Sequence, residues 1–139
     1  MLSALDISTS GLVAERIRMN AISSNIANIS TTHNEKGEAA PYQRKFVVFQ
    51  SDENMGAAGA AGVRVSSVET DHAEPQLRFQ PGHPDAIQQG PNKGNVAYPN
   101  ISMMTEFTDA MEAARAYEAN LGAIDITKNM EQQTLRIIA

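Results

Sequence analysis

Three histidines, His33, His72 and His83, are the residues of this chain best suited to chemistry. Asp71 precedes His72, and His83-Pro84-Asp85 sets a second imidazole two positions from a carboxylate. Either pair could supply two metal ligands. A closed site needs more, either a helix-spaced histidine pair or thiolates, and the chain has no cysteine. Exposed loop histidines are therefore the expectation, and no metal or other cofactor is expected. No Gly-x-Ser-x-Gly elbow frames a nucleophilic serine. The run Gly56-Ala57-Ala58-Gly59-Ala60-Ala61-Gly62 lacks the Lys-Ser/Thr that must follow a phosphate loop. Asn28-Ile29-Ser30 and Asn100-Ile101-Ser102 fit the glycosylation sequon, but both fall at expected helix ends, where Asn and Ser cap. A glycan-cleaving enzyme needs an acid–base carboxylate pair across a cleft; here the acids are spread along helix exteriors. Neither catalysis nor a small-molecule substrate is expected.

The elements around these residues are more informative than the residues themselves. All six prolines lie between Pro41 and Pro99, and only Gly11 and Gly122 of the nine glycines fall outside the middle. Proline inside a helix costs about 3 kcal/mol, so the two ends are free to be long helices and the middle is not. At the first end, Met1, Leu5, Ser8, Leu12, Glu15, Met19, Ile22, Ile26 and Ile29 follow a 3/4 spacing broken only by Ser8 and Glu15. That period marks a helix packed lengthwise on another helix. The turn formers after Asn28 end it. Asn25 and Asn28 bring amides close to the seam, where a buried Asn can fix register.

The second helix is expected after Tyr98-Pro99-Asn100, capped by Asn100 or Ser102, with Glu106 and Asp109 favourable in its early turns. Met103, Phe107, Ala110, Ala114, Tyr117, Leu121 and Ile124 form an unbroken apolar seam, after which Ile126, Met130 and Ile137 continue on another face. The two helices are expected to pack antiparallel, with Leu12, Met19, Ile22 and Ile26 facing Phe107, Ala114, Tyr117 and Leu121. Between them, residues 43–50, 63–70 and 76–80 read as short strands forming one small antiparallel set. The Gly-Ala run reads as a mobile connector, and residues 81–95 as a long irregular loop or arm. The fold class is α+β: a coiled-coil pair of terminal helices with a small antiparallel β region and an extended loop between. Residues 1–32 and 101–139 would form one helical domain, and 33–100 the middle.

Net charge is −5, with residues 1–32 neutral and no basic stripe, so nucleic acid has no electrostatic footprint here. Asp6 stands where a cleavable signal would be apolar, and no run approaches the ~18 apolar residues of a membrane span. Without disulfides, and with a middle too small for much core, the protomer is expected to be incomplete alone and stabilised by copies of itself or relatives.

Ser10-Gly11-Leu12, Arg18-Met19, Ile22-Ser23-Ser24-Asn25-Ile26-Ala27-Asn28 and Thr31-Thr32 together resemble the N-terminal signature of the bacterial flagellar axial (rod and hook) family. Glu112-Ala113-Ala114-Arg115-Ala116-Tyr117-Glu118-Ala119-Asn120 and Lys128-Asn129-Met130 resemble its C-terminal segment, with Ala114 where members more often have Ser. In the middle, Pro41-Tyr42, Arg44-Lys45 with Phe46–Phe49, Gly82-His83-Pro84-Asp85-Ala86 and Val96-Ala97-Tyr98-Pro99-Asn100 resemble its proximal-rod members.

The resemblance implies a structural subunit of the basal-body rod, the drive shaft that transmits motor torque, assembling helically in the periplasm through its terminal helices. It implies passage through the flagellar type III export apparatus. Its implied neighbours are copies of itself, other proximal rod proteins, the adaptor joining the rod to the membrane ring, and the distal rod. It adds Asn120 to the expected helix-packing and interface residues, which include Leu5 and Ile124 from the two apolar seams. A soluble coiled-coil adaptor and a peptidoglycan-acting enzyme are the alternative readings.

Overall fold

A computed structural model describes residues 2–53 and 60–138, the side chains of Leu2, Ser3 and Ile138 excepted. Helix α1 spans Leu2–Ala27 and helix α2 spans Met103–Ile138. Between them come β1 (Lys45–Asp52), β2 (Gly62–Thr70), β3 (Gln76–Phe79) and β4 (Asn95–Tyr98). The arrangement is α+β, with the two end helices packed on each other. Ser102 caps α2, its Oγ accepting from the Thr105 amide at 3.4 Å. At 36 residues this helix is about 54 Å long, and it continues unbroken through the point where its apolar pattern changes face.

The helices run antiparallel. As α1 advances from Gly11 through Arg18 to Asn25, the partners on α2 retreat from Asn120 through Glu112 to Glu106. This register carries the last turns of α2, from about Met130 onward, past the start of α1.

The contact between them is not the one apolar periodicity selects. On α1 the buried residues are Ser10, Gly11, Ala14, Ala21, Ile22 and Asn25, whereas Leu5, Leu12, Met19 and Ile26 are half-buried. On α2 Glu106 and Ala113 are buried and Ala110, Ala114, Tyr117, Asn120 and Ile124 half-buried, while Phe107 and Leu121 are exposed. The seam is therefore rotated by one position, with Glu106, Ala113 and Asn120 replacing Phe107, Ala114 and Leu121. The cause is steric: Gly11 has no Cβ, and a Cβ there would stand 2.9 Å from the Asn120 side-chain amide. Small residues let the helices approach, and large ones turn outward.

The expected single strand set is two separate hairpins. β1 pairs antiparallel with β2, from Lys45↔Thr70 to Asp52↔Gly62. The register slips between Val48, opposite Ser67, and Phe49, opposite Val65, leaving Ser66 as a bulge. β3 pairs instead with β4, a strand the sequence pattern leaves unmarked, from Gln76↔Tyr98 to Phe79↔Asn95. Residues 81–95 are not a free arm. They form the folded connection of that second hairpin, closed by Gly94 N–H to Ile87 C=O at 2.8 Å and Ile87 N–H to Asn95 C=O at 2.9 Å. Gly94 sits at φ +83° with the Phe79 ring against it, a position only glycine fills without strain. Most of the Gly-Ala connector falls in residues 54–59, outside the described residues. No helix among the described residues is long and apolar enough to cross a membrane.

Candidate functional site

Two of the three histidines meet at one carboxylate. Asp85 gathers them: its Oδ2 accepts the Thr32 hydroxyl at 2.6 Å and lies 3.6 Å from His33 Nδ1 and 3.9 Å from His83 Nδ1. The Thr32 hydrogen bond, with the two imidazoles adding to it, holds the Asp85 carboxyl below its ordinary value. These contacts clasp the second hairpin to the chain leaving α1. His72 is exposed. Among the described residues, no group of three or more His, Cys, Asp or Glu is placed to hold a metal.

The concentrated polar chemistry lies instead between the helices. Asn25 and Glu106 are completely buried. Asn25 Nδ2 donates to Glu106 Oε2 at 3.0 Å and to the Lys45 carbonyl at 2.8 Å. Its Oδ1 accepts from the Lys45 amide at 2.8 Å and from the Tyr42 hydroxyl at 3.3 Å. Arg44 closes the set, with Nε to Glu106 Oε1 at 2.6 Å and Nη2 to Asp109 Oδ2 at 3.2 Å. One amide thus ties α1, α2 and the start of β1 together. The buried carboxylate is matched by a guanidinium and an amide, which is the condition for burying it without a large penalty.

The signature residues at the two ends of α1 share this bracing role. Ser10 Oγ donates to the Ile7 carbonyl at 2.6 Å and accepts from the Val63 amide at 3.0 Å, pinning the start of β2 to α1. Ser24 Oγ meets the Tyr42 hydroxyl at 3.1 Å. Asn28 turns away from the seam: its Nδ2 donates to the Ser24 carbonyl at 2.9 Å, and its Oδ1 accepts from Thr31 Oγ1 at 3.1 Å. It caps the end of α1 and makes no bond to α2. Asn120 likewise donates to the Ala116 carbonyl on its own helix, at 2.9 Å, while lying over Gly11.

Glu15 is the poorly satisfied group among the described residues of the seam. Its Oε2 is buried with no hydrogen bond among the described residues, and Arg18 Nη1 stands 3.8 Å away. Burial raises the carboxyl's pKa, Arg18 opposes that, and Glu112 across the seam adds to it.

With the internal seam rotated, the large apolar residues of α2 face out. Met104 is 77% exposed, Phe107 51%, Met111 57% and Leu121 45%. Met104, Phe107 and Met111 lie within about 60° of one another on one side of α2, and Leu121 follows about 15 Å further along beside the seam. Isolated exposed hydrophobics are ordinary, but a contiguous stripe marks an interaction surface. In the sequence Glu106 stands out only as an early-turn acid and Tyr42 and Arg44 only in a motif; their joining around Asn25 was missed, because counting apolar residues cannot find a polar seam. Their clue was a buried-type Asn near the seam with an acid and an arginine elsewhere to satisfy it.

Comparison with known proteins points the same way. Residues 5–33 match the family described as flagella basal body rod protein, and residues 92–137 the family described as flagellar basal body rod FlgEFG protein C-terminal. The flagellar basal-body rod protein FlgC of Borreliella burgdorferi is 35% identical, the match covering 99% of this chain and 97% of that one. The proteins of the same name from Bacillus subtilis and Salmonella typhimurium are 37% and 36% identical, covering 96% and 99% of this chain and 95% and 97% of theirs.

Proposed function

The chain belongs to the flagellar basal-body rod protein family, and on that premise we propose that it is a structural subunit of the proximal part of the rod. The observation that carries the reading is the division of labour in the end helices. Their small and polar residues are spent on each other, around Asn25 and Glu106, and the large apolar residues of α2 are left for neighbours. Copies joined through that stripe and the α1 faces would build a shaft able to carry torque. The helix-packing residues Leu5, Leu12, Met19, Ile22, Ile26, Ala114, Tyr117 and Ile124 then hold the protomer, and Phe107 and Leu121 serve the contact between protomers. Subunits of this kind would leave the cell through the flagellar type III apparatus and assemble in the periplasm. Their neighbours there would be other proximal rod proteins, the adaptor to the membrane ring and the distal rod. The reading includes no catalysis: a zymogram for wall lysis should show no cleared band, and a band would overturn that part.

Leu121→Asp tests the rest. Leu121 is exposed in the single chain, so the change should leave its folding, synthesis and export intact. In a subunit contact, however, an unpaired carboxylate in an apolar setting is costly, and the defect repeats at every copy. Cells carrying it should be non-motile, while Glu35→Lys, at an exposed turn, should swim normally. Motile Leu121→Asp cells, or equal defects from both changes, would contradict the reading.

A further inference from the structure

We propose that the last turns of α2 from one copy dock into the groove between α1 and β2 of a second copy; this rests on the reading of the chain as a self-assembling subunit. The groove holds about 620 Å³ and is lined by Val13, Ile17, Val63 and Val65, with Asp52 and Arg64 also in its wall and Asp6 at one end. Val13 is 44% exposed within it.

The chain carries a matching ridge. Ile126, Met130 and Ile137 lie within about 40° of one another around α2, and are 63%, 57% and 85% exposed. From Asp6 to Ile17 and from Ile126 to Ile137 are equal runs of helix, each about 17 Å. Arg136 flanks the far end of the ridge, as Asp6 marks one end of the groove. Pairing those charges sets the direction: the incoming α2 runs antiparallel to α1, with Ile126 toward Ile17.

The occupant has to be a second copy. Within one chain α2 is a single continuous helix whose tail projects past the start of α1, so it cannot fold back into its own groove. The groove lies on the face of α1 carrying Asp6, Ser10, Val13 and Ile17, whereas its own α2 meets Gly11, Arg18 and Asn25. α1 would then sit between two α2 helices, its own and a neighbour's. Because ridge and groove are different patches, the contact does not close on itself and repeats head to tail.

The native chain has no cysteine, which makes cross-linking clean. Cells producing both Val13→Cys and Met130→Cys chains are oxidised, and their basal bodies isolated and blotted. The expected result is a disulfide dimer, roughly fivefold or more above that from Val13→Cys with Glu35→Cys, since only close Cβ positions bridge. Within one chain, positions 13 and 130 are separated by about 18 Å along the helix register, so a bridge reports two copies. Asp6→Arg or Arg136→Asp alone should weaken assembly by roughly two- to fivefold, and the two together should restore it. Chains that enter basal bodies but give no dimer above the control, or a double reversal no better than the single ones, would overturn the groove contact and leave the proposed function standing. Chains absent from basal bodies would overturn both.

Discussion

Asn25 is where the energetics of this chain concentrate. Removing its amide takes a partner from the Lys45 amide and carbonyl and from one oxygen of a buried carboxylate, and leaves the Tyr42 hydroxyl only Ser24 Oγ. Asn25→Ala should therefore cost about 2–4 kcal/mol, read as a drop in the urea midpoint; a loss no larger than that of Asn20→Ala, on the exposed face, would show the network to be incidental. Glu15 makes the opposite prediction. Burial chiefly raises its pKa above the ordinary 4.5, so folding favours its protonated form relative to the unfolded chain. The stability this gives is complete below the ordinary value and is lost as pH rises through the raised native value. Glu15→Gln should raise the neutral-pH urea midpoint and flatten that decline, and a lowered neutral midpoint would contradict it. The pattern of residues placed the Asn25 amide close to the seam, where it bonds Glu106 of the other helix. Nothing in it marked Glu106 as the partner, because an acid in the first turn of a helix is already explained by the helix dipole.

Among the elements, the helices were the legible part. Proline placement and the 3/4 spacing delimit both to within a few residues, and their antiparallel pairing follows from two narrow seams in one short chain. The rotation of the seam was not legible, since apolar periodicity ranks Phe107 and Leu121 above Glu106 and Asn120, while close approach favours the reverse. β4 was missed because a four-residue strand with prolines near it carries too little pattern, and its pairing with β3 depends on the folded 81–95 connection. Gly11 tests the close approach. A glycine inside a helix costs about 1 kcal/mol against alanine, so Gly11→Ala would stabilise an unobstructed helix. Here the new methyl meets the Asn120 amide, and the change should destabilise by about 1–2 kcal/mol. In an Asn120→Ala background it should become stabilising. Additive effects in that cycle, measured by urea unfolding, would show that the two residues do not touch. Hydrogen exchange should follow the same logic: in the dilute chain, amides beyond Met130 exchange fastest, because no element covers them.

Taken whole, the molecule leaves more undone than a self-sufficient protein of its size. Among the described residues the buried apolar side chains are few and mostly small, Ala14, Ala21, Ile22, Ala86, Val96, Ile101 and Ala113. Bulky side chains such as Met104, Phe107, Met111, Met130 and Ile137 stay outside. Without disulfides, stability of that kind is drawn from neighbours, as expected of a subunit of a continuous shaft. The reading of the ends was available from residues 10–32 and 112–130. The interfaces between copies were not, because a single chain displays only half of each contact. Cryo-electron imaging of basal bodies purified from cells producing this chain tests the account most directly. The account predicts the chain in the rod wall, with Met104, Phe107, Met111 and Leu121 covered by adjacent subunits and the Asn25–Glu106 contact retained inside each protomer. A rod lacking the chain, or one in which that stripe of α2 faces open solvent, would contradict it.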